Sequence, residues 1–464
     1  MNEKQKLSRG IIYILIANII NLVFNLLSTF VMPKYLSTDT YAEIKTYTMY
    51  LSYAGLFHLG YADGMYLVYG GKDIKSIGSS ELGSDLSTMR IFQLIVSVVL
   101  LIGSILIKNP VCIMFAVSVL PYNMASYFKN LYQAVGQFRN YGKILNLTSI
   151  FLFVVNMSLL FLVKTDTYIY YLIGNVAVYI IVWIMLEINI RQIVRSNYLA
   201  FSIKLWIENI KNGILLMLGT FSSILFTSMD RWFVKIFFTN LEFAQYSFAV
   251  SAETFLDMAV SPISVTLYNF FCKCEDHDEI KRIKRYVLIF ASFIISAGFG
   301  IRFILDHWIE KYIASEAVIF ILFSSQLYFI VIRSIYINLY KARKRQNQYF
   351  IKMSIVIVLG LFSNYFSYRI FGNKEAFAIA TLFCAVVWFI LCQIDLRDQA
   401  FDFWELLFII FENILFLGCG HFFTAIPGFL IYLGITFIVA LVLLRKDFIN
   451  MLALIPKMIK KRRR

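Results

Sequence analysis

Charge is what this chain has least of. Asp, Glu, Lys and Arg supply only 15% of its 464 residues, whereas 60% are apolar and the mean hydropathy is +0.72. Soluble domains carry roughly 25% charged residues, so this balance excludes one and favours a polytopic membrane protein. Long polar connections are also missing. No loop between apolar runs exceeds about two dozen residues, well short of a folded soluble domain. Nucleic-acid binding is excluded with it, because no domain exists to present a basic surface. A membrane enzyme such as a glycan polymerase is disfavoured too. The longest outward loops, near 303–315 and 31–44, leave no room for catalytic or sugar-binding residues. Cysteine is scarce, six in all and mostly within apolar runs, which gives no disulfide framework. Cys272, Cys274 and His277 form a CxC…H cluster, but with no second ligand pair it gives no metal site. Neither a metal nor a cofactor is expected.

What is present is a series of apolar runs. A hydrocarbon core of about 30 Å takes roughly 20 residues per helix. On that measure fourteen spans are expected, at 11–31, 44–69, 88–107, 111–134, 144–163, 168–188, 212–238, 243–270, 286–305, 313–337, 350–370, 375–394, 403–422 and 425–444. Lys4, Lys6 and Arg9 precede the first run as in a secretory signal, yet no small-residue cleavage site follows, so it counts as a span.

The basic residues orient the spans. With the N-terminus in the cytoplasm, Lys and Arg divide 32 to 8 between the two faces, and Arg231, Lys235 and Arg333 remain inside spans. The excess marks the cytoplasmic face and places both termini there. The net charge of +15 is thus first a topology signal. Clusters such as KRIKR (281–285), KARKR (341–345) and KKRRR (460–464) would also attract anionic lipid headgroups.

A weak internal repeat supports the count. LYQAVGQFRNYGKI from Leu131 and LYKARKRQNQYFIK from Leu339 share Leu131/Leu339, Tyr132/Tyr340, Ala134/Ala342 and Tyr141/Tyr349, all 208 positions apart. The same offset carries Asn156 onto Asn364. It maps the connection between spans 4 and 5 onto that between spans 10 and 11. The expected plan is two six-helix lobes of like orientation, 1–200 and 201–398, with 399–464 adding two helices and a basic cytoplasmic tail. Parallel repeats of this kind place a substrate site in a cavity between the halves.

Ionisable residues in a bilayer are costly, so each is a functional candidate. Glu253 and Asp257 lie four apart near mid-depth in span 8 and share one helix face, as an ion- or proton-coupling pair would. In span 7, Asp230 and Arg231 form an adjacent pair, a guanidinium at that depth needing a carboxylate or a ligand phosphate. Lys235 is close enough to the end to act as an anchor. His58 and Asp63 lie in span 2, where Gly60 and Gly64 flank Asp63 and permit close helix approach, which suits a gate. Arg333 lies about a turn from the cytoplasmic end of span 10. Asn18, Asn21, Asn25 and Ser28 form a polar stripe on span 1, marking the face turned from lipid.

Several stretches carry a family resemblance: TSMDRWFVKIFFTNLEFAQYSFA (227–249), LGYADGMYLVYG (59–70), LYKARKRQNQYF (339–350) and IFGNKEAFAIAT (370–381). With the fourteen-helix, two-lobe plan, they resemble polysaccharide flippases of the Wzx type, in the multidrug/oligosaccharidyl-lipid/polysaccharide exporter superfamily. Asp230, Arg231 and Tyr246 occupy the family's Asp-Arg and Tyr positions. The resemblance implies a flippase of the bacterial cytoplasmic membrane. Its cargo is undecaprenyl-pyrophosphate-linked oligosaccharide of O-antigen or capsule type, moved by alternating access with a proton or sodium gradient. It also implies contact with the polymerase and glycosyltransferases of the pathway. Arg231, Asp230, Arg333 and Lys34 become candidates for cargo contact; Glu253, Asp257, Asp63 and His58 become candidates for ion coupling or gating. A drug/cation antiporter of the same superfamily is the alternative, favoured by the deep carboxylates. The few basic residues deep in the spans depart from strongly cationic relatives.

Overall fold

The computed structural model describes residues 3–74, 76–191, 194, 201–272 and 276–461; the side chains at 3–17, 262, 265, 269, 346 and 454–461 are outside the description. The protein is 89% helical, with no strand among the described residues. Two compact units divide the chain at Ser228/Met229. The first holds α1 (Glu3–Tyr35), α2 (Thr38–Ser52), α3 (Tyr61–Tyr69), α4 (Ser79–Ile107), α5 (Pro110–Ala134), α6 (Phe138–Ser158) and α7 (Tyr168–Ile190). Helix α8 (Ile203–Phe237) runs through the division. The second unit holds α9 (Asn240–Phe271), α10 (His277–Ile295), α11 (Ala297–His307), α12 (Glu316–Val331), α13 (Ile337–Ala342), α14 (Gln346–Phe371), α15 (Glu375–Asp395), α16 (Phe403–Phe422), α17 (Ala425–Leu443) and α18 (Arg445–Lys461).

Among the described residues, twelve helices or helix pairs are long and apolar enough to cross a membrane. The chain is a multi-pass, all-α membrane protein. The two other expected spans are also helical. Span 1 falls on α1, and the run 44–69 is two helices rather than one. Helix α2 starts earlier, capped by the Ser37 side chain, and ends in a tight turn over Ala54–His58. Leu59 (φ 50°) and Gly60 (φ 82°) then reverse the backbone before α3. The physical reason is Gly60, whose freedom at positive φ allows the break. Residues 445–461, expected as a tail, continue as α18, whose Phe448 packs against Phe293 at 6.0 Å and Phe437 at 5.0 Å.

Each unit is organised around one buried helix. In the first it is α5, against which α2, α3, α4, α6 and α7 pack. In the second it is α12, surrounded by α9, α10, α15 and α16. The repeat found in the sequence recurs as geometry. Helix α5 ends at Ala134 and α13 at Ala342; α6 starts at Phe138 and α14 at Gln346, each 208 apart. Gly136 (φ 70°) and Lys344 (φ 56°) occupy the same left-handed position between them. The backbone bonds match: Gln137 N to Tyr132 O at 2.8 Å corresponds to Arg345 N to Tyr340 O at 2.8 Å. This is a glycine-type helix stop written once with glycine and once with lysine.

Helix α9, which carries the candidate carboxylates, is started by a capping box: Glu242 N donates to Thr239 Oγ1 at 3.3 Å, and Thr239 N to Glu242 Oε2 at 3.1 Å. Thr239→Ala should lower unfolding free energy by about 1 kcal/mol, read as a thermal shift of the detergent-solubilised protein. An unchanged melting temperature would show that α9 is fixed by packing alone.

Candidate functional site

The register set at Thr239 places Tyr246, Glu253 and Asp257 on one face of α9, seven and then four residues apart. Tyr246, fully buried, donates its hydroxyl to Asp230 Oδ2 at 2.6 Å. Asp230 is only 5% exposed and accepts two further bonds, from the Arg231 backbone N at 2.7 Å and Thr381 Oγ1 at 3.4 Å. The expected Asp230–Arg231 pair is therefore not an ion pair. The Asp230 carboxyl turns to neutral donors on α9 and α15, and no salt bridge joins it to the guanidinium. Arg231 has no carboxylate within ion-pair distance among the described residues, and its buried Nε has no hydrogen-bond partner.

Two turns along α9 from Tyr246, Gln326 of α12 donates to Glu253 Oε1. Asp257 pairs with the Arg333 guanidinium, which also lies over the Phe329 ring at 5.3 Å. The structure thus joins a cargo candidate, Arg333, to a coupling candidate, Asp257. Arg333 is set by a π-helical turn, Ile332–Tyr336, between α12 and α13. A π-turn disturbs the usual carbonyl pairing, and Ser264 Oγ satisfies the Arg333 carbonyl at 2.9 Å. At the start of α15, outside the spans, the buried Lys374 ammonium donates to Gln245 Oε1, and burial pushes its pKa down.

The first unit holds the other candidates. Lys34, half-buried in the last turn of α1, lies over the Tyr35 ring at 5.7 Å. His58 sits in the tight turn before α3, 5% exposed, its Nδ1 accepting from Gly60 N at 3.1 Å and its Nε2 4.0 Å from Asp63 Oδ2. Gly60 and Gly64 meet α8 backbone to backbone at Gly213 and Asn209. Asp85, absent from the candidates because it precedes the apolar part of α4, is buried and accepts from Tyr61 and from Asn209 Nδ2 at 3.2 Å. Cys274 lies outside the described residues, and among those described no three His, Cys, Asp or Glu side chains could hold a metal ion.

The first unit also holds an open cavity of about 450 Å³ between α1, α2, α5, α6 and α7. Asn21, Asn25 and Ser28 of the polar stripe line it, whereas Asn18 is exposed outside it. Lys45 lines it with Lys129. No hydropathy signal could have placed either lysine there, since both sit near the ends of expected spans.

No family model matches the chain, and no curated protein does. Solved structures do. A structure described as the lipid II flippase MurJ in an inward closed conformation superposes with a TM-score of 0.65 at 15% identity, covering 95% of this chain and 99% of that one. A MATE transporter in complex with MaL6 gives 0.53 at 11%, covering 86% and 97%. The chain shares the all-helical fold of these two solved structures. Within that fold Arg231 and the carboxylates of α9 lie in the second unit, and the lysine-lined cavity lies in the first.

Proposed function

We propose that the protein is a Wzx-type flippase that moves undecaprenyl-pyrophosphate-linked oligosaccharide repeat units, of O-antigen or capsule type, across the bacterial cytoplasmic membrane. The observation that carries this reading is Arg231: a half-buried guanidinium with no salt bridge among the described residues, its buried Nε without a hydrogen-bond partner, is suited to the oxygens of a pyrophosphate or an acidic sugar. The shared fold with a lipid II flippase adds support. In this reading six-helix lobes 1–200 and 201–398 alternate in access, 399–464 is appended, and both termini are cytoplasmic. Arg231 and Lys34 contact the cargo, with Asp230 setting the helix beside Arg231. Arg333 takes part only when released from Asp257. Glu253 and Asp257 couple transport to a proton or sodium gradient, and His58 and Asp63 gate it.

The drug/cation antiporter fits the same fold, and the Glu253 and Asp257 carboxylates are the observation in its favour. One experiment separates the two. In a strain lacking the gene, the flippase reading expects undecaprenyl-pyrophosphate-linked oligosaccharide to accumulate and surface glycan to be lost, with rescue by wild type. Arg231→Ala should rescue roughly tenfold less or worse, since losing a buried charge contact costs roughly 2–5 kcal/mol. Unchanged lipid-linked and surface glycan would reject the flippase, and resistance to cationic drugs would then be measured for the antiporter.

A further inference from the structure

A second cavity, of about 230 Å³, lies in the first unit where the end of α5, the start of α6 and the end of α7 meet. Asn140, Lys143 and Asn189 give it a polar end, and Ile144, Leu147, Val182 and Met185 line it further along. The order matters. Asn140 and Lys143 precede the start of span 5 expected at 144, and Asn189 follows the end of span 6 expected at 188. Leu147, Met185 and Val182 lie one or two turns deeper. The cavity therefore runs from the polar boundary of the membrane into its apolar layer. Beside it on α7, Ile181, Ile184 and Ile188 are exposed, as lipid-facing side chains are.

The second unit builds the same corner from α13, α14 and α15, and fills it differently. Tyr340 stands 208 positions after Tyr132, which lines the first corner. Lys352 lies in the second turn of α14, as Lys143 does in α6, and Asp395 lies in the last turn of α15, as Asn189 does in α7. Asp395 accepts from the Tyr340 hydroxyl at 2.9 Å and pairs with Lys352 at 3.3 Å. A carboxylate of the chain thus completes that corner. In the first unit no Asp or Glu lines the cavity among the described residues. Glu187, two residues before Asn189, is held instead by Arg90 at 2.9 Å and by the Trp183 indole at 3.0 Å. Lys143 is exposed and forms no ion pair among the described residues. Asn140 donates one amide hydrogen to Gln137 Oε1 at 2.8 Å, which leaves a second donor on the same nitrogen. The first corner has the cation and amides but not the anion.

We propose that the cavity between α5, α6 and α7 binds an anionic phospholipid, whose phosphate takes the place that Asp395 fills in the second unit. Lys143 and the amides of Asn140 and Asn189 hold the phosphate, and an acyl chain follows Leu147 and Met185. Position selects the lipid over a soluble anion, because the polar groups sit at the membrane boundary with an apolar groove beneath them. Size separates this site from any cargo site: about 230 Å³ is below the roughly 300–1,000 Å³ of drug-sized ligand sites and suits a headgroup. The inference does not depend on what the protein transports.

The test is native mass spectrometry of the full-length protein in detergent, titrated with dioleoyl phosphatidylglycerol, dioleoyl phosphatidylcholine or glycerol 1-phosphate. One phosphatidylglycerol should be retained roughly tenfold more tightly than phosphatidylcholine. Lys143→Gln should lose roughly that preference, and Lys143→Arg should keep it, which guards against misfolding as the cause. Asn189→Asp is the sharper variant. It supplies the carboxylate that the second unit already has, so it should pair with Lys143 and exclude the lipid. Arg139→Gln removes an exposed charge one turn before Lys143 that does not line the cavity, and should bind as wild type. Equal retention of the two lipids, or full retention by Lys143→Gln or Asn189→Asp, would overturn the proposal. So would an equal loss in Arg139→Gln, which would indicate diffuse surface charge. Glycerol 1-phosphate binding as tightly as phosphatidylglycerol would overturn the lipid assignment in favour of a soluble anion.

Discussion

Gly64→Ala should leave little folded, monodisperse protein after detergent extraction, while Gly219→Ala on the neighbouring α8 should behave as wild type. A Cβ at Gly64 would lie 1.9 Å from the Asn209 carbonyl oxygen and 2.6 Å from its carbon. The reverse contact is as close: a Cβ at Gly213 would sit 2.0 Å from Gly60 O and 2.2 Å from Gly64 N. These are backbone atoms, so no rotamer change relieves the overlap, and α3 and α8 must separate. Overpacking of this kind costs about 3 kcal/mol or more when the backbone has to move. Separation would also strain the Asn209–Asp85 bond, leaving a buried carboxyl short of a donor. At Gly219 an added Cβ meets nothing within 4 Å, and alanine is the better helix former there. Thermal stability in detergent checks both, with roughly 2–4 °C expected per kcal/mol in a large domain. Equal stability of the two variants would mean that the α3–α8 contact does not hold the first unit together.

That contact shows what the sequence makes legible. Spans such as α4 and α17 stand out because lipid-facing helices are apolar all round, and the glycines beside Asp63 announce a close helix approach. The break at Leu59–Gly60 is harder to see, because α2 is amphiphilic and stabilised by burial rather than by hydropathy. Its Thr40, Tyr41, Thr46 and Tyr47 are all buried, so a hydropathy window starts the span six residues late. The functional side chains divide in the same way. Glu253 and Asp257 share a face because residues four apart on a helix do, and that follows from spacing alone. Asp230 and Arg231 are neighbours in sequence, and adjacent helical residues point about 100° apart, so nothing obliges them to pair. Asp230 instead meets Tyr246 and Thr381, and Asp257 meets Arg333, across helix contacts that only packing determines. The cavity lysines are hidden for that reason too. One sits midway along α2 and the other late in α5, and only the helix arrangement turns both inward.

A second large effect is expected at a charge cluster that the spans conceal. Lys284 on α10 is 0% exposed and Glu405 on α16 is 2% exposed, with Nζ 3.2 Å from Oε2. The ammonium also donates to the carbonyls of Ala400 at 2.8 Å and Gln399 at 3.3 Å, and lies 3.9 Å from the centre of the Phe401 ring. Glu405 has other partners: Arg285 Nε at 2.5 Å and, through its capping box, Asp402 N at 2.8 Å. Arg285 in turn reaches Asp402 at 3.2 Å and Asp447 of α18 at 3.0 Å. The two ends of the Lys284–Glu405 pair are therefore unequal. Glu405→Leu removes the one carboxylate within ion-pair distance of Lys284 among the described residues and leaves a buried ammonium on two carbonyls, a loss of roughly 3–5 kcal/mol. Lys284→Met leaves Glu405 still held by Arg285, so it should cost clearly less. The double variant should fall between them, because it abolishes the stranded charge but also frees Arg285 from one of three carboxylates. Chemical or thermal unfolding of the three proteins in the same detergent gives the order directly. If Lys284→Met proves the more damaging single change, the lysine is held by its carbonyls and the aromatic ring, and the ion pair is incidental to the join between α10 and α16.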